Sequence, residues 1–264
     1  MDREIFREAE TKKLYNSIEK LKIGVIGIGE GVGTTFVSTS LAFCFAKKGK
    51  SVAFAEVGNP RTKLSILYDS VAMDLRFSNR EFVDFYNLIM ENLHIRGKKN
   101  IEEGINWALI TPKNLENGKE LDESEKLRLV NNLSGEIVIF DLEAFEAFGT
   151  LLEEMDIIVG VIDPLPSKMI GGFKIFQALK KLEIEGQKVI WVVNKNNKGI
   201  GKKHIYDYLK TREILWIPFF ELEQMYLCEY NCIFPIKNKK LNCQIIEAFD
   251  RIIDKTGLFT KPSH

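Results

Sequence analysis

Apolar residues fall in short runs along this chain, and the stretches between runs repeat their apolar positions every three to four residues. Residues 23–28 form the first run and predict a buried strand. A helical pattern follows over 34–48, and residues 51–57 read as the next strand. Gly58-Asn59-Pro60 then breaks the chain, and a mixed helical region runs to about residue 100. Further strands are expected at 107–111, 136–141, 157–163, 188–194 and 214–219, with helical patterns between most of them. Strands that are apolar on both faces and alternate with helices predict a doubly wound α/β fold, a mostly parallel sheet covered on both sides. No internal repeat or low-complexity linker marks a boundary. One domain is expected over residues 21–264, preceded by a helical extension over 1–20 that packs through Ile5, Phe6, Leu14 and Ile18.

The first strand runs into Gly27-Ile28-Gly29-Glu30-Gly31-Val32-Gly33-Thr34-Thr35-Phe36, where the next helix begins. Glycines let the backbone turn tightly and point successive N–H groups inward, and the helix start adds the positive end of its dipole. Strand, Gly-rich loop and helix together predict an anion cradle of the phosphate-loop kind. A tight turn without a ligand is the plainer alternative. The dinucleotide fingerprint fits less well, because Gly24-x-x-Gly27-x-Gly29 has the wrong spacing.

Composition narrows the partners. Lys+Arg and Asp+Glu both count 37, so the chain lacks the basic excess of a protein that binds nucleic acid over its whole surface. The densely charged N-terminus lacks the apolar core of a signal peptide, and runs such as residues 157–162 are too short to span a bilayer. Four cysteines do not make a disulfide framework in a chain of 264 residues. A cytoplasmic protein is expected.

The stretch GEGVGTTFVSTSLAFCFAKKGKSVAFAEVG resembles the opening of the MinD/ParA class of P-loop ATPases, whose deviant phosphate loop reads KGGVGKTT. The likeness continues in order. EIVIFD, ending at Asp141, matches the Walker B strand, and MDIIVGVIDPLPS resembles the strand after it. KVIWVVNK resembles the base-recognition strand ending in Asn194, and IPFFELEQMYLCEYNCIFP resembles the family's Ile-Pro segment with its short helix. The resemblance implies a site for ATP or ADP with Mg²⁺ built from Gly29, Glu30, Gly31, Val32, Gly33, Thr34, Thr35, Phe36, Glu56, Asp141 and Asn194. Thr35 and Asp141 are then the metal-binding residues.

The departures bear on activity. The family's Walker lysine falls on Thr34, its signature lysine on Gly29, and its water-positioning aspartate on Gly58. Phosphoryl transfer is catalysed by positioning and by charge placed against the phosphates, so these losses predict a nucleotide bound weakly or not at all and a weak or absent ATPase. A degenerate loop of this kind resembles TadZ-like members, which are associated with bacterial pilus assembly and polar localisation. The expectation is a localisation, partitioning or assembly factor that works through protein partners, with a homodimer possible. One alternative is an active, ATP-dependent dimeric ATPase with a lysine supplied from elsewhere. Asn194-Lys195-Asn196-Asn197 has Asn where the guanine motif has Asp, which favours adenine if a base binds there.

Three further patterns carry less. Lys195, Lys198, Lys202, Lys203 and His204 form one basic cluster and Lys237, Lys239 and Lys240 another, but a net charge of zero does not favour DNA as a partner. Leu241, Ile245, Ile246, Phe249, Ile252 and Ile253 share one helical face. Its polar side has no basic excess, which favours packing on the sheet over a membrane surface. Cys228 and Cys232 fall on one face of a helix and form the basis of a second alternative, an Fe–S or metal carrier.

Overall fold

The computed structural model describes residues 20–60, 67–71 and 82–258. The expected extension over residues 1–20 lies outside them apart from Lys20, as do parts of residues 59–100. Among the described residues the strands are β1 (Leu21–Gly27), β2 (Val52–Val57), β3 (Ile101–Glu102), β4 (Ile105–Ala108), β5 (Ile137–Leu142), β6 (Ile157–Ile162), β7 (Val189–Asn196) and β8 (Ile214–Pro218). They form one sheet in the order β3-β4-β2-β5-β1-β6-β7-β8, parallel throughout except where the short edge strand β3 pairs antiparallel with β4. The doubly wound α/β class is what the alternating pattern predicts.

The continuous apolar runs still alternate between two faces, as a strand's period of two requires. Ile23 and Val25 of β1, Ile137 and Ile139 of β5, and Ile157, Val159 and Val161 of β6 face one core. That core is closed by α1 (Thr34–Lys47) and, near the C-terminus, α9 (Asn242–Thr256). Ile26, Val138, Phe140, Ile158 and Ile162 face the other core, under α2 (Phe85–Met90), α4 (Glu123–Asn132), α6 (Phe173–Ile184) and α7 (Lys202–Leu209). Three further helices among the described residues are α3 (Pro112–Asn117), α5 (Pro166–Gly171) and α8 (Leu222–Tyr230). The apolar face of α9 is buried against the first core through Ile245, Phe249, Ile252 and Ile253. Among the described residues no helix is long and apolar enough to cross a membrane.

Two expectations shift. The strand expected at 107–111 is Ile105–Ala108, because Thr111 is taken as the cap of α3, with Pro112 in the first helical turn. The mixed helical region up to residue 100 holds, within its described part, a helical turn at 67–71 and the single short helix α2.

Register decides where a site can form. Val25 lies opposite Asp141, Asp141 opposite Glu56, and Gly27 opposite Val161, so the C-terminal ends of β1, β2, β5 and β6 finish level. The connections diverge to either side of β1, which leaves a crevice at that edge where α/β sheets take ligands.

Candidate functional site

The loop from β1 to α1 lies in that crevice. Gly31 (φ 66°) and Gly33 (φ 94°) hold the left-handed conformation that glycine adopts without strain. Gly33 is the N-cap of α1 and has no side chain to cap it. No main-chain N–H from residue 29 to residue 36 has a hydrogen-bond partner among the described residues. Helix starts leave such donors, and here five loop residues extend the set. Val32 is buried, and both it and Thr34 crowd the space in front of Gly27, where a Cβ would collide with them. Phe36 anchors the first turn of α1 by edge-on contacts with Phe220 and Phe249, at 5.6 and 5.8 Å between centroids.

The Thr35 hydroxyl donates to Asp141 Oδ2 at 2.8 Å. Asp141 is fully buried on β5, between β1 and β2. The fold therefore brings these two residues together. Glu56, also fully buried, accepts from the Ile110 N–H at 2.9 Å and ties the end of β2 to the chain just beyond β4.

Asn194 is placed differently from a base reader. Its amide donates to the Val32 carbonyl at 2.9 Å, and its Oδ1 accepts from the Lys195 N–H at 2.9 Å. A Cβ on Gly33 would collide with the Asn194 amide, so that glycine is required for close approach as well as for φ. Asn194 thus holds the loop in shape. Lys195 follows in the left-handed region (φ 59°), which turns its side chain back over the loop. Its Nζ donates to the Gly31 carbonyl at 2.8 Å and pairs with Asp163 Oδ2 at 2.7 Å. Asp163 lies at the end of β6 with its side chain 2% exposed.

A second lysine reaches the loop from α5. Lys168 Nζ donates to the Glu30 carbonyl at 2.7 Å. Between α5 and α6, Gly172 lies against the Ile28 carbonyl so closely that no side chain fits there. Lys168 and Asp163 carry no distinguishing mark in the sequence, and Lys195 reads there as part of a basic surface cluster. Their signal was limited to lysine or aspartate just beyond a strand's end.

At Gly58 a Cβ would come within 2.6 Å of the Glu143 carboxyl, so an acid from the end of β5 occupies that space. Beside Thr35 and Phe36 opens a mainly apolar cleft of about 370 Å³, reaching Leu222, Met225 and Tyr226 of α8. Leu222, Tyr226 and Tyr230 are exposed on that helix, with the two tyrosine rings stacked at 6.4 Å.

The cysteine pair departs from expectation. Helix α8 ends at Tyr230, and Cys232 (φ 52°) terminates it, with Cys232 N–H bonded to the Glu229 carbonyl and Ile233 N–H to that of Cys228. The two thiols therefore do not share a helical face. Among the described residues no three His, Cys, Asp or Glu side chains form a metal-binding group. The basic clusters are partly engaged too: Lys202 lies over the Trp216 ring at 5.0 Å, and Lys237 pairs with Glu103 at 2.7 Å.

A parallel sheet with an open, glycine-bent loop at the start of α1 and a Thr–Asp pair beneath it defines the P-loop NTPase architecture. Within that architecture the chain has the fold of the MinD and ParA ATPases. A protein of Borrelia burgdorferi B31 assigned to plasmid partition, bound to AMPPNP, is similar at 16% identity over 88% of this chain and 99% of its own, with a TM-score of 0.64. The septum site-determining protein MinD of Pyrococcus horikoshii OT3, complexed with Mg-ADP, gives 14% identity, 92% and 100% coverage and a TM-score of 0.64. MinD in the MinC:MinD cell division complex of Aquifex aeolicus gives 17%, 92% and 98%, and 0.59. No protein-family model matches the chain, and no curated protein matches it in sequence.

Proposed function

We propose that this protein binds adenine nucleotide with Mg²⁺ at the β1–α1 loop, turns it over slowly, and acts through protein partners as a localisation, partitioning or assembly factor. The run of unpartnered N–H groups over residues 29–36, directed by two left-handed glycines, carries the reading. The main chain of Gly29, Glu30, Gly31, Val32, Gly33, Thr34, Thr35 and Phe36 would surround phosphate oxygens. Thr35 and Asp141 offer the hydroxyl and carboxylate oxygens that Mg²⁺ takes, with water and phosphate completing its shell. The metal would neutralise phosphate charge. Glu56 and Asn194 act as supports, fixing strand ends and the loop. The cleft beside Thr35 and Phe36 has room for the nucleoside.

Slow turnover follows from charge. The loop carries Glu30 and no lysine, and Gly58 carries no carboxylate. The similar proteins bind AMPPNP and Mg-ADP, and one of them assembles with MinC, which fits nucleotide and protein partners. A second reading, an active ATPase charged from outside the loop, is favoured by the approach of Lys168 and Lys195. Phosphate release at saturating MgATP separates them. The first predicts a rate close to the buffer background, unchanged by Asp141→Ala. Turnover well above background and lost in Asp141→Ala and Thr35→Ala would overturn slow turnover and support the second.

A further inference from the structure

We propose that Lys168, on the helix after β6, is the cation that engages the phosphates at this loop; the proposal rests on the nucleotide reading above. A nucleotide polyphosphate carries several negative charges, and the loop meets them with N–H dipoles alone, while Glu30 adds an opposing charge. Among the described residues two ammonium groups touch the loop, and their surroundings differ. Lys195 is paired with the buried Asp163, so its charge is cancelled where it lies and it serves as a fastener. Lys168 rests on a neutral carbonyl and faces no carboxylate at ion-pair distance among the described residues. Among the described residues, then, its positive charge is not taken up by an ion pair.

The placement of Lys168 is built into the fold. Pro164 and Pro166 stiffen the turn out of β6, and Gly172 lies directly on the Ile28 carbonyl, so α5 is held along the loop. A Cβ on Gly29 would touch the Lys168 carbonyl at 3.6 Å, and one on Gly31 would touch its Nζ at 3.6 Å. The ammonium thus lies over the part of the loop whose N–H groups lack partners. Hydrogen bonds from an ammonium to a phosphate are stronger than those to a neutral carbonyl, so an arriving phosphate draws Lys168 off Glu30. Lysine suits this task because its long stem moves a point charge over several ångströms.

Calorimetric titration of adenosine, MgADP and MgATP into the wild type, Lys168→Ala, Lys168→Gln and Lys168→Arg tests it, with melting temperatures confirming that each variant is folded. The expected result is a loss of MgATP affinity on the order of 10- to 100-fold in the Ala and Gln variants, as for a charge-assisted hydrogen bond. The loss is smaller for MgADP, absent for adenosine, and largely recovered by Arg. Wild-type affinity for MgATP in both neutral variants, an equal loss for adenosine, or no recovery with Arg overturns the role of Lys168 and leaves the nucleotide site standing. Absence of MgATP binding by the wild type overturns both.

Discussion

Thr35 and Asp141 stand 106 residues apart in sequence, and their side chains meet in a hydrogen bond of 2.8 Å beneath the Gly-rich loop. The parallel register of β1 with β5 brings them together, since it sets Asp141 opposite Val25, near the strand end that feeds the loop. Replacing Thr35 by Val keeps the volume and removes the donor to a fully buried carboxylate. Loss of one bond to a buried charged group costs about 1–3 kcal/mol. Thr35→Val is expected to lower stability to urea by that amount and Thr35→Ser to stay near the wild type. Equal stabilities for Val and Ser would show that the bond contributes nothing.

Gly33 combines a φ of 94° with contact against the Asn194 amide. Alanine there meets both backbone strain and a collision, a combination that costs about 1–3 kcal/mol. Thermal unfolding should register a clear drop for Gly33→Ala. Adding Asn194→Ala should recover the part due to the collision but not the part due to φ. Full recovery in the double variant would place the whole effect on the collision.

Asp163 is nearly fully buried, and its pairing with Lys195 crosses from the end of β6 to the end of β7. Lys195→Ala leaves that carboxylate with its N–H donor from Leu165 at 3.1 Å but without a cation. Since Lys195 is 37% exposed, solvent tempers the loss, and about 1–2 kcal/mol is expected. A double-mutant cycle with Asp163→Asn should show coupling between the two sites. Strictly additive effects would mean that the pair does not fasten the loop.

Burial, reinforced by Asp250, pushes the Cys44 thiol up to about 12 from an ordinary 9.0. The thiol is neutral in the folded protein at physiological pH, and alkylation at pH 8 should spare it while labelling the exposed Cys243. The linkage has a definite sign. Below pH 9 both states keep the proton; above it the unfolded chain ionises first. The stability contribution is therefore lost between pH 9 and about 12. Cys44→Ala should show a shallower alkaline decline in urea melts, and an identical decline would remove Cys44 as a contributor.

The sheet was legible because its strands are apolar on both faces, and the loop because glycine at 31 and 33 has few other uses before a helix. Thr35 and Asp141 were legible through their place beside those elements. Lys168 and Asp163 were not, since both lie in the connection after β6, and Lys168 meets the loop and Asp163 meets Lys195 only once β6 and β7 are in register with β1. Lys195 was visible but read as surface, because nothing in NKNN announces a left-handed turn at its second residue. Asn194 was assigned to a base and instead braces the Val32 carbonyl, a contact that depends on how closely β7 approaches α1. The cysteine spacing predicted a shared helical face, and the early end of α8 at Tyr230 removed it.

Calorimetric titration of MgATP and MgADP into the wild type and Asp141→Ala tests the central claim, that the loop is a working phosphate cradle, most directly. Micromolar binding by the wild type, weakened at least tenfold in Asp141→Ala, is the predicted result. No heat of binding at millimolar nucleotide would contradict the account.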